Sequence, residues 1–326
     1  MKIFMTGGTG NIGQYVTLAL LERGHEIVLL TRTPARVPAF NSLPGVTVVQ
    51  GNMMQLDEVE NALQGCDAVI HIALGWGNDP VNMLMNDTRI FAFLMDAAER
   101  AGVKQFIYTS STAAMGNLHS GMDETALCFP EDLYGATKAS TEMYLMGFNR
   151  YYGSQGRQSD DVGMRRNVIR PGYTYSNPAF EGGASQSDTR FLDIAKAILK
   201  NEPLTFDAFN GTQFLSAREI AQLYVKLVES DLNREIFLAL GSEFTGWDTI
   251  AQIAKDMTPG CTSEITIRPC EGEPSFYNVS KMERVFGLRF EGDEDLRAHI
   301  AWNLERARKQ LDGEKLHNTN HEWSAE

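Results

Sequence analysis

Cysteine is scarce in this chain, and its few copies lie apart. Cys66, Cys128, Cys261 and Cys270 form neither a CxxC pair nor a zinc-ligand spacing, so a structural zinc site is excluded and no metal is expected. They read as reduced thiols of a cytoplasmic protein, with a Cys261–Cys270 bridge the pairing left open. Positive charge is also short: 29 Lys and Arg stand against 42 Asp and Glu, a formal net charge of −13. That balance argues against a nucleic-acid or acidic-membrane partner, while a small anionic ligand needs only a local basic pocket. No apolar run is long enough to span a bilayer, and the N-terminus runs straight into an apolar strand, so neither a membrane span nor a signal peptide is expected. Repeats and low-complexity segments are missing too. The polar stretch 312–326 reads as a frayed tail, with His317 and His321 solvated rather than metal-bound.

What is present is ordinary in amount and pointed in arrangement. A chain of 326 residues, 43% hydrophobic, suits one large α/β domain or one plus a smaller lobe. It is organised around Thr6-Gly7-Gly8-Thr9-Gly10-Asn11-Ile12-Gly13, which follows the apolar run Ile3-Phe4-Met5 and precedes a helical apolar pattern. Strand, glycine turn and helix make the first half of a nucleotide-binding βαβ unit. Gly7 permits the sharp turn, Gly10 lets backbone N–H groups approach a pyrophosphate, and Gly13 lets helix pack on strand. The phosphates then sit at the helix N-terminus, beside Asn11 and Ile12.

Further buried strands are expected at 26–31, 46–50, 68–73 and 105–110, with a sixth ending at 167–170; helical patterns fill 81–101 and 134–152. This alternation predicts a Rossmann-type, doubly wound parallel sheet, with ligands across the carboxyl ends of its strands. The nucleotide-binding domain is placed at 1–175, with some later segments returning to it, and a smaller mixed α/β substrate lobe at 176–311. Helices near 188–200, 217–230, 247–256 and 293–311 and strand-like pieces at 235–240 and 264–268 belong to that later half. Residues 153–163 read as a polar surface loop, and the Gly- and Ser-rich 177–187 as a flap over a substrate.

The sharpest constellation is Tyr134-Gly-Ala-Thr-Lys138. At i and i+4 on a helix the phenol and ammonium share a face; the Lys charge favours phenolate and makes Tyr134 a general acid/base, and the ammonium can hold a cofactor ribose. Alone, such a pair is common by chance. Ser110-Ser111-Thr112 ends the fifth strand, where a hydroxyl can bind a reacting carbonyl oxygen or simply cap a turn.

Glycine loop, strand-five hydroxyl and Tyr-x-x-x-Lys, in that order, resemble the short-chain dehydrogenase/reductase superfamily, and more narrowly its extended NAD-dependent epimerase/dehydratase branch. His71-Ile-Ala73, Phe106 to Gly116, Arg170-Pro-Gly-Tyr-Thr-Tyr175 and Ser280-Lys281 followed by Phe286-Gly287-Leu288 look like further motifs of that branch, so the likeness runs over about 1–310. The resemblance implies hydride transfer to or from NAD or NADP: Tyr134 moves the hydroxyl proton, Ser111 binds the same oxygen, and Lys138 tunes Tyr134. It also implies that Asn52, Met53, Ala73 and Pro171 join the glycine loop around the cofactor, and that Thr112, Tyr173 and Arg268 face the substrate. A homodimer on a four-helix interface is implied, with Phe91, Leu94, Met95, Met143, Leu145 and Met146 as its apolar faces, though burial against the sheet explains part of that pattern.

Departures from the branch narrow the reading. Leu30-Thr31-Arg32 ends the second strand without the carboxylate that binds a ribose 2′-hydroxyl; Arg32, with Arg36 in reach, instead suits a 2′-phosphate, which favours NADP unless both arginines are merely solvated. Asn52 replaces the usual Asp near the adenine. Ala113-Ala114 stands where dehydratases carry Asp-Glu, so water loss of that kind is not expected. Arg268 matches one diphosphate-binding arginine of the sugar epimerases, but the other falls on Thr212, with Arg218 nearby and Glu219 in the neighbouring Asp place. The leading expectation is an oxidoreductase or epimerase acting on a secondary alcohol or ketone of a sugar or sugar derivative. The alternative is an NADP-dependent dehydrogenase/reductase of a non-nucleotide carbonyl compound. A silent NADP-sensing protein is disfavoured because the Ser-Tyr-Lys set is intact.

Overall fold

A computed structural model of the chain describes residues 1–116, 118–148, 163–180 and 183–314. Seven strands form one parallel sheet: β1 (Lys2–Thr6), β2 (Glu26–Thr31), β3 (Val46–Gln50), β4 (Ala68–His71), β5 (Gln105–Thr109), β6 (Arg165–Pro171) and β7 (Glu235–Ala239), in the order β7-β6-β5-β4-β1-β2-β3. The expected doubly wound sheet is therefore present. The order reverses between β1 and β4, where Thr6 lies opposite His71.

Both faces of the sheet are covered, which is why its strands read as continuous apolar runs. Along β1 and β2 the side chains alternate: Ile3, Met5, Ile27 and Leu29 pack on one face, and Phe4, Val28 and Leu30 on the other. The first face carries α1 (Gly13–Glu22); the second carries α2 (Leu56–Leu63) and α3 (Arg89–Arg100). The helix expected over 81–101 has two parts: Pro80–Met83, capped by the Asp79 side chain, passes through a π turn at Leu84–Thr88 before α3 begins. Next comes α4 (Leu133–Gly147), capped by Asp132 Oδ1, which accepts from Gly135 N–H at 2.6 Å. Expected to run on to 152, the helix ends at Gly147 with Phe148 extended; residues 149–152 and most of the polar loop at 153–163 lie outside the described residues.

In the second half, α5 (Arg190–Leu199), α7 (Trp247–Asp256) and α9 (Asp293–Leu311) enclose a core of Tyr175, Phe191, Phe214, Trp247 and Ile300. Leu204–Asp207 pairs in parallel with Ile265–Arg268 beside it. Two segments expected in this half join the sheet: α6 (Ala217–Val228) packs on α1, and β7 is the edge strand beside β6. The short helix α8 (Ser280–Phe286) packs against β7. Among the described residues no helix is long and apolar enough to cross a membrane. All four cysteines are free, so the Cys261–Cys270 bridge is not formed.

The dimer faces need correction. Phe91, Leu94, Met95 and Leu145 are buried against the sheet. The large apolar side chains that these helices leave exposed are Val81, Leu84, Met85, Leu133, Met143 and Tyr144.

Candidate active site

The glycine loop after β1 is shaped by what it cannot carry. A Cβ on Gly13 would fall 2.0 Å from Gly7 O, and one on Gly7, whose φ is +71°, would fall 2.5 Å from Ala73 N. Side chains there would push α1 from the loop and the loop from the end of β4. Gly10 N–H donates to Gly7 O at 3.0 Å, closing the turn. Asn11 ties the loop to the chain beyond β6: its Nδ2 donates to Thr174 O at 3.1 Å and its Oδ1 accepts from the Ser176 hydroxyl at 2.5 Å.

From this loop a cleft of about 870 Å³ runs across the carboxyl ends of the strands. It is lined by Gly7, Gly10, Asn11, Ile12, Arg32, Asn52, Met53, Ala73, Ser111, Tyr134, Lys138 and Pro171, which brings together twelve of the residues singled out in the sequence. Gly13 stands just behind, where it serves the close packing. An extended dinucleotide fits this shape: a cradle at a helix N-terminus that a Cβ would fill, a basic side chain at the β2 end, and hydroxyl, phenol and ammonium groups at the β5 end.

Lys138 is the centre of the β5 end. It is 3% exposed and its Nζ donates to Thr109 O at 3.0 Å. Burial alone would push its pKa down, but Tyr108, Tyr134 and Asp87 outweigh burial and the net direction is up, so the ammonium stays charged. Its Nζ lies 5.1 Å from the Tyr108 ring centre and 5.9 Å from that of Tyr134. Ser111 Oγ accepts from Ala113 N–H at 3.2 Å, capping the short turn Thr112–Ala114. The hydroxyl proton of Ser111 is left to donate elsewhere. Gly135 sets the spacing between this turn and α4, because a Cβ there would fall 2.3 Å from Ala113 O.

His71 completes the floor. Its Nδ1 is 2.6 Å from the Thr6 hydroxyl, and burial, with Lys138 adding to it, pulls its pKa down to about 3, so the ring is neutral. Asp87 is a residue that the sequence reading missed. It lines the cleft, is 4% exposed, and accepts from Gly75 N–H at 2.8 Å; burial raises its pKa against the pull of Lys138. The signal was available: Met83, Asp87, Ile90 and Leu94 recur at i, i+4, i+7 and i+11, an acid on an otherwise apolar face. Trp76 was missed as well, although a Trp between two glycines just beyond a strand end stands where ligands bind.

Three expected substrate residues are not brought to the cleft lining. Thr112 is buried in its turn. Tyr173 packs edge-on against Phe214 and Trp247. Arg268 pairs with Asp207 at 2.7 Å on the small parallel pair of the second half. Arg218 pairs with Asp295, and Glu219 accepts from the Gly292 and Ser216 N–H groups. Arg32 is exposed in the cleft with no ion pair among the described residues, while the side chain of Arg36 lies outside them. The expected flap is fastened over its described part: Gln14 and Tyr15 of α1 bond Ala184 O, Ala179 N–H and Asn177 O.

Comparison with known proteins follows this geometry. The model of the NAD dependent epimerase/dehydratase family matches residues 3–238. The chain is 32% identical over 215 residues to 3 beta-hydroxysteroid dehydrogenase/Delta 5-->4-isomerase of Mycobacterium tuberculosis, covering 61% of this chain and 52% of that protein. It is 30% identical over 168 residues to 3-beta-hydroxysteroid dehydrogenase of Mycolicibacterium neoaurum, covering 48% and 44%. The match thus spans about half the length of these relatives. UDP-glucuronic acid 4-epimerase from Bacillus cereus, solved in complex with NAD, superposes with a TM-score of 0.77 at 19% identity, covering 94% of this chain and 100% of that one, a likeness of fold.

Proposed function

Since the chain belongs to the NAD-dependent epimerase/dehydratase family of extended short-chain dehydrogenases/reductases, we propose that Ser111, Tyr134 and Lys138 carry its chemistry on a secondary alcohol or ketone. The observation that carries this reading is the convergence of the three on one cleft, with a buried, charged Lys138 behind the phenol. A bound nicotinamide would supply the hydride acceptor for an alcohol carbon or the hydride donor for a carbonyl carbon. Tyr134 gives its proton to the carbonyl oxygen in reduction and takes it back in oxidation. The charge of Lys138 favours the phenolate left behind. Ser111 keeps its proton and donates a hydrogen bond to the same oxygen, as an oxyanion-stabilising group does. Gly7, Gly10, Asn11 and Ile12 would hold the pyrophosphate and Asn52 and Met53 the adenine. Arg32, standing in the sequence where a ribose-binding carboxylate would end β2, favours NADP over NAD.

The second half, 176–311, would supply substrate contacts in this reading. Of the two forms of the reaction, net oxidation or reduction of a non-nucleotide carbonyl compound is favoured over epimerisation of a nucleotide sugar, because Arg268 and Arg218 are spent on Asp207 and Asp295. The exposed apolar side chains of Pro80–Met83, the π turn and α4 support a homodimer built on these helices. The test of the central reading is Tyr134→Phe, expected to abolish turnover with cofactor affinity nearly intact; retention of most of the activity would refute the proton-transfer assignment. Denaturing the purified protein and identifying any released nucleotide separates the two forms. One tightly held NAD(H) per chain would speak for epimerisation, and reversible NADP binding for the dehydrogenase.

A further inference from the structure

The loop after β4, Leu74-Gly75-Trp76-Gly77, is fastened from behind. Gly75 N–H donates to Asp87 Oδ1 at 2.8 Å, Gly77 N–H to Met83 Sδ at 3.0 Å, and Asn86 Nδ2 to Trp76 O at 3.0 Å. The two glycines allow the contact: a Cβ on Gly75 would fall 1.8 Å from Asn86 O, and one on Gly77 2.4 Å from Met83 N. The π turn is what offers Asn86 and Asp87 to the loop. Held this way, the loop lines the cleft with two apolar side chains, Leu74 and Trp76, of which Trp76 stands beside the proton-transfer group. Trp76 is 53% exposed, and its ring centre lies 6.4 Å from that of Tyr134 at an interplanar angle of 37°. Leu74 is 38% exposed in the same lining. Indole surface left open on a fixed backbone, next to the reacting oxygen, gains free energy when a flat apolar partner covers it and needs no rearrangement first.

Charge argues against the main alternative. Among the described residues, the charged ones lining the cleft are Arg32 at the β2 end and the buried Asp87 and Lys138. Lys138 is engaged with Thr109 O, and Arg190, Arg218 and Arg268 of the second half each pair with an aspartate. Among the described residues lining the cleft, no basic group near Tyr134 is left to hold a substrate diphosphate.

We propose that Leu74 and Trp76 form the substrate platform, and that the substrate is a ketone or secondary alcohol carried on a flat, mainly apolar ring framework. This deepens the reading above, since it names the substrate of the same site and rests on it. The test is calorimetric binding to the full chain with NADP present, using trans-2-decalone, the open-chain 2-decanone and UDP-glucose. The wild type binds the ring ketone about tenfold more tightly than the open-chain one, and UDP-glucose more weakly than either. Trp76→Ala loses about tenfold in decalone affinity with NADP affinity unchanged, and Trp76→Phe keeps most of it. UDP-glucose binding more tightly than decalone, no preference for the ring ketone, no ketone binding at all, or wild-type decalone affinity in Trp76→Ala each overturns the proposal. The ligand order in the wild type tests it even if a variant fails to fold. Binding does not depend on turnover: if Tyr134→Phe still reduced decalone, the proton-transfer reading would fall and the platform would stand.

Discussion

A buried ammonium stays charged only where something opposes its desolvation, and Lys138 lies among the groups that do so. Tyr108, Tyr134 and Asp87 surround it, and Thr109 O accepts from it. Replacement by Met keeps the volume and removes the charge; kcat is expected to fall by about 10²–10⁴, the usual span for a lost acid–base partner, with the protein still folded. Stopped-flow turnover alongside circular dichroism checks both parts. At the β2 end, Arg32→Asp is expected to move the ratio of NADP to NAD affinity towards NAD, and an unchanged ratio would mean that Arg32 faces only solvent. At this scale the sequence was legible where the geometry is local. Tyr134 and Lys138 are one helical turn apart, and Ser111 follows a strand whose end must meet the ligand. Arg268 was not legible, because whether it faces a cleft or Asp207 depends on how two distant strands, Leu204–Asp207 and Ile265–Arg268, pair.

Elements hold these residues in place, and two contacts show how. Gly135 lets the first turn of α4 close on the Ser111 turn. Gly135→Ala places a Cβ 2.3 Å from Ala113 O, and is expected to cost about 1–3 kcal/mol of stability while lowering kcat by moving Tyr134 from Ser111. Denaturant unfolding and steady-state kinetics on the one variant test the two effects together. Further along α4, Glu142 forms a buried pair with Arg170 of β6, Nη2 to Oε2 at 2.7 Å and Nε to Oε1 at 3.0 Å. Arg170→Met alone leaves a buried carboxylate unpaired and is expected to cost about 3–5 kcal/mol, whereas the double change Arg170→Met with Glu142→Leu recovers most of that. Strand limits were readable to within a residue or two because apolar runs stop sharply at glycines and charges. The π turn at Leu84–Thr88 was not, since an extra residue inside a helix leaves the apolar pattern nearly intact.

Across the whole molecule two buried histidines set a response to acid. His71 in the sheet and His299 in the second core are both pulled from 6.5 to about 3, by burial first and then by Lys138 and Arg306 respectively. The unfolded chain takes up protons near pH 6.5 and the folded one does not, so between those limits the unfolded state binds more protons and stability falls as pH falls. Each histidine contributes about 1.4 kcal/mol per pH unit inside that window. Unfolding free energies at pH 7, 6 and 5 are expected to show this slope, and His299→Gln to lose one proton's share of it. The exposed stripe of Leu84, Met85, Met143 and Tyr144 predicts association; Met143→Glu is expected to shift a sedimenting dimer to monomer. The alternation of strands and helices made the doubly wound sheet legible. That β7 joins its edge was hidden, because Glu235–Ala239 comes after α6 in the less regular half and its partner β6 lies far back in the chain.

The hydrogen bonds of Asn11 to Thr174 and Ser176 have one more consequence. A glycine loop that is fastened before any ligand arrives has already lost its conformational freedom during folding. Nucleotide association should therefore show a heat-capacity change set by the surface it covers, with no added contribution from loop ordering. Cutting the tie with Asn11→Ala should move that ordering into the binding step, seen in titration calorimetry as a less favourable entropy of association.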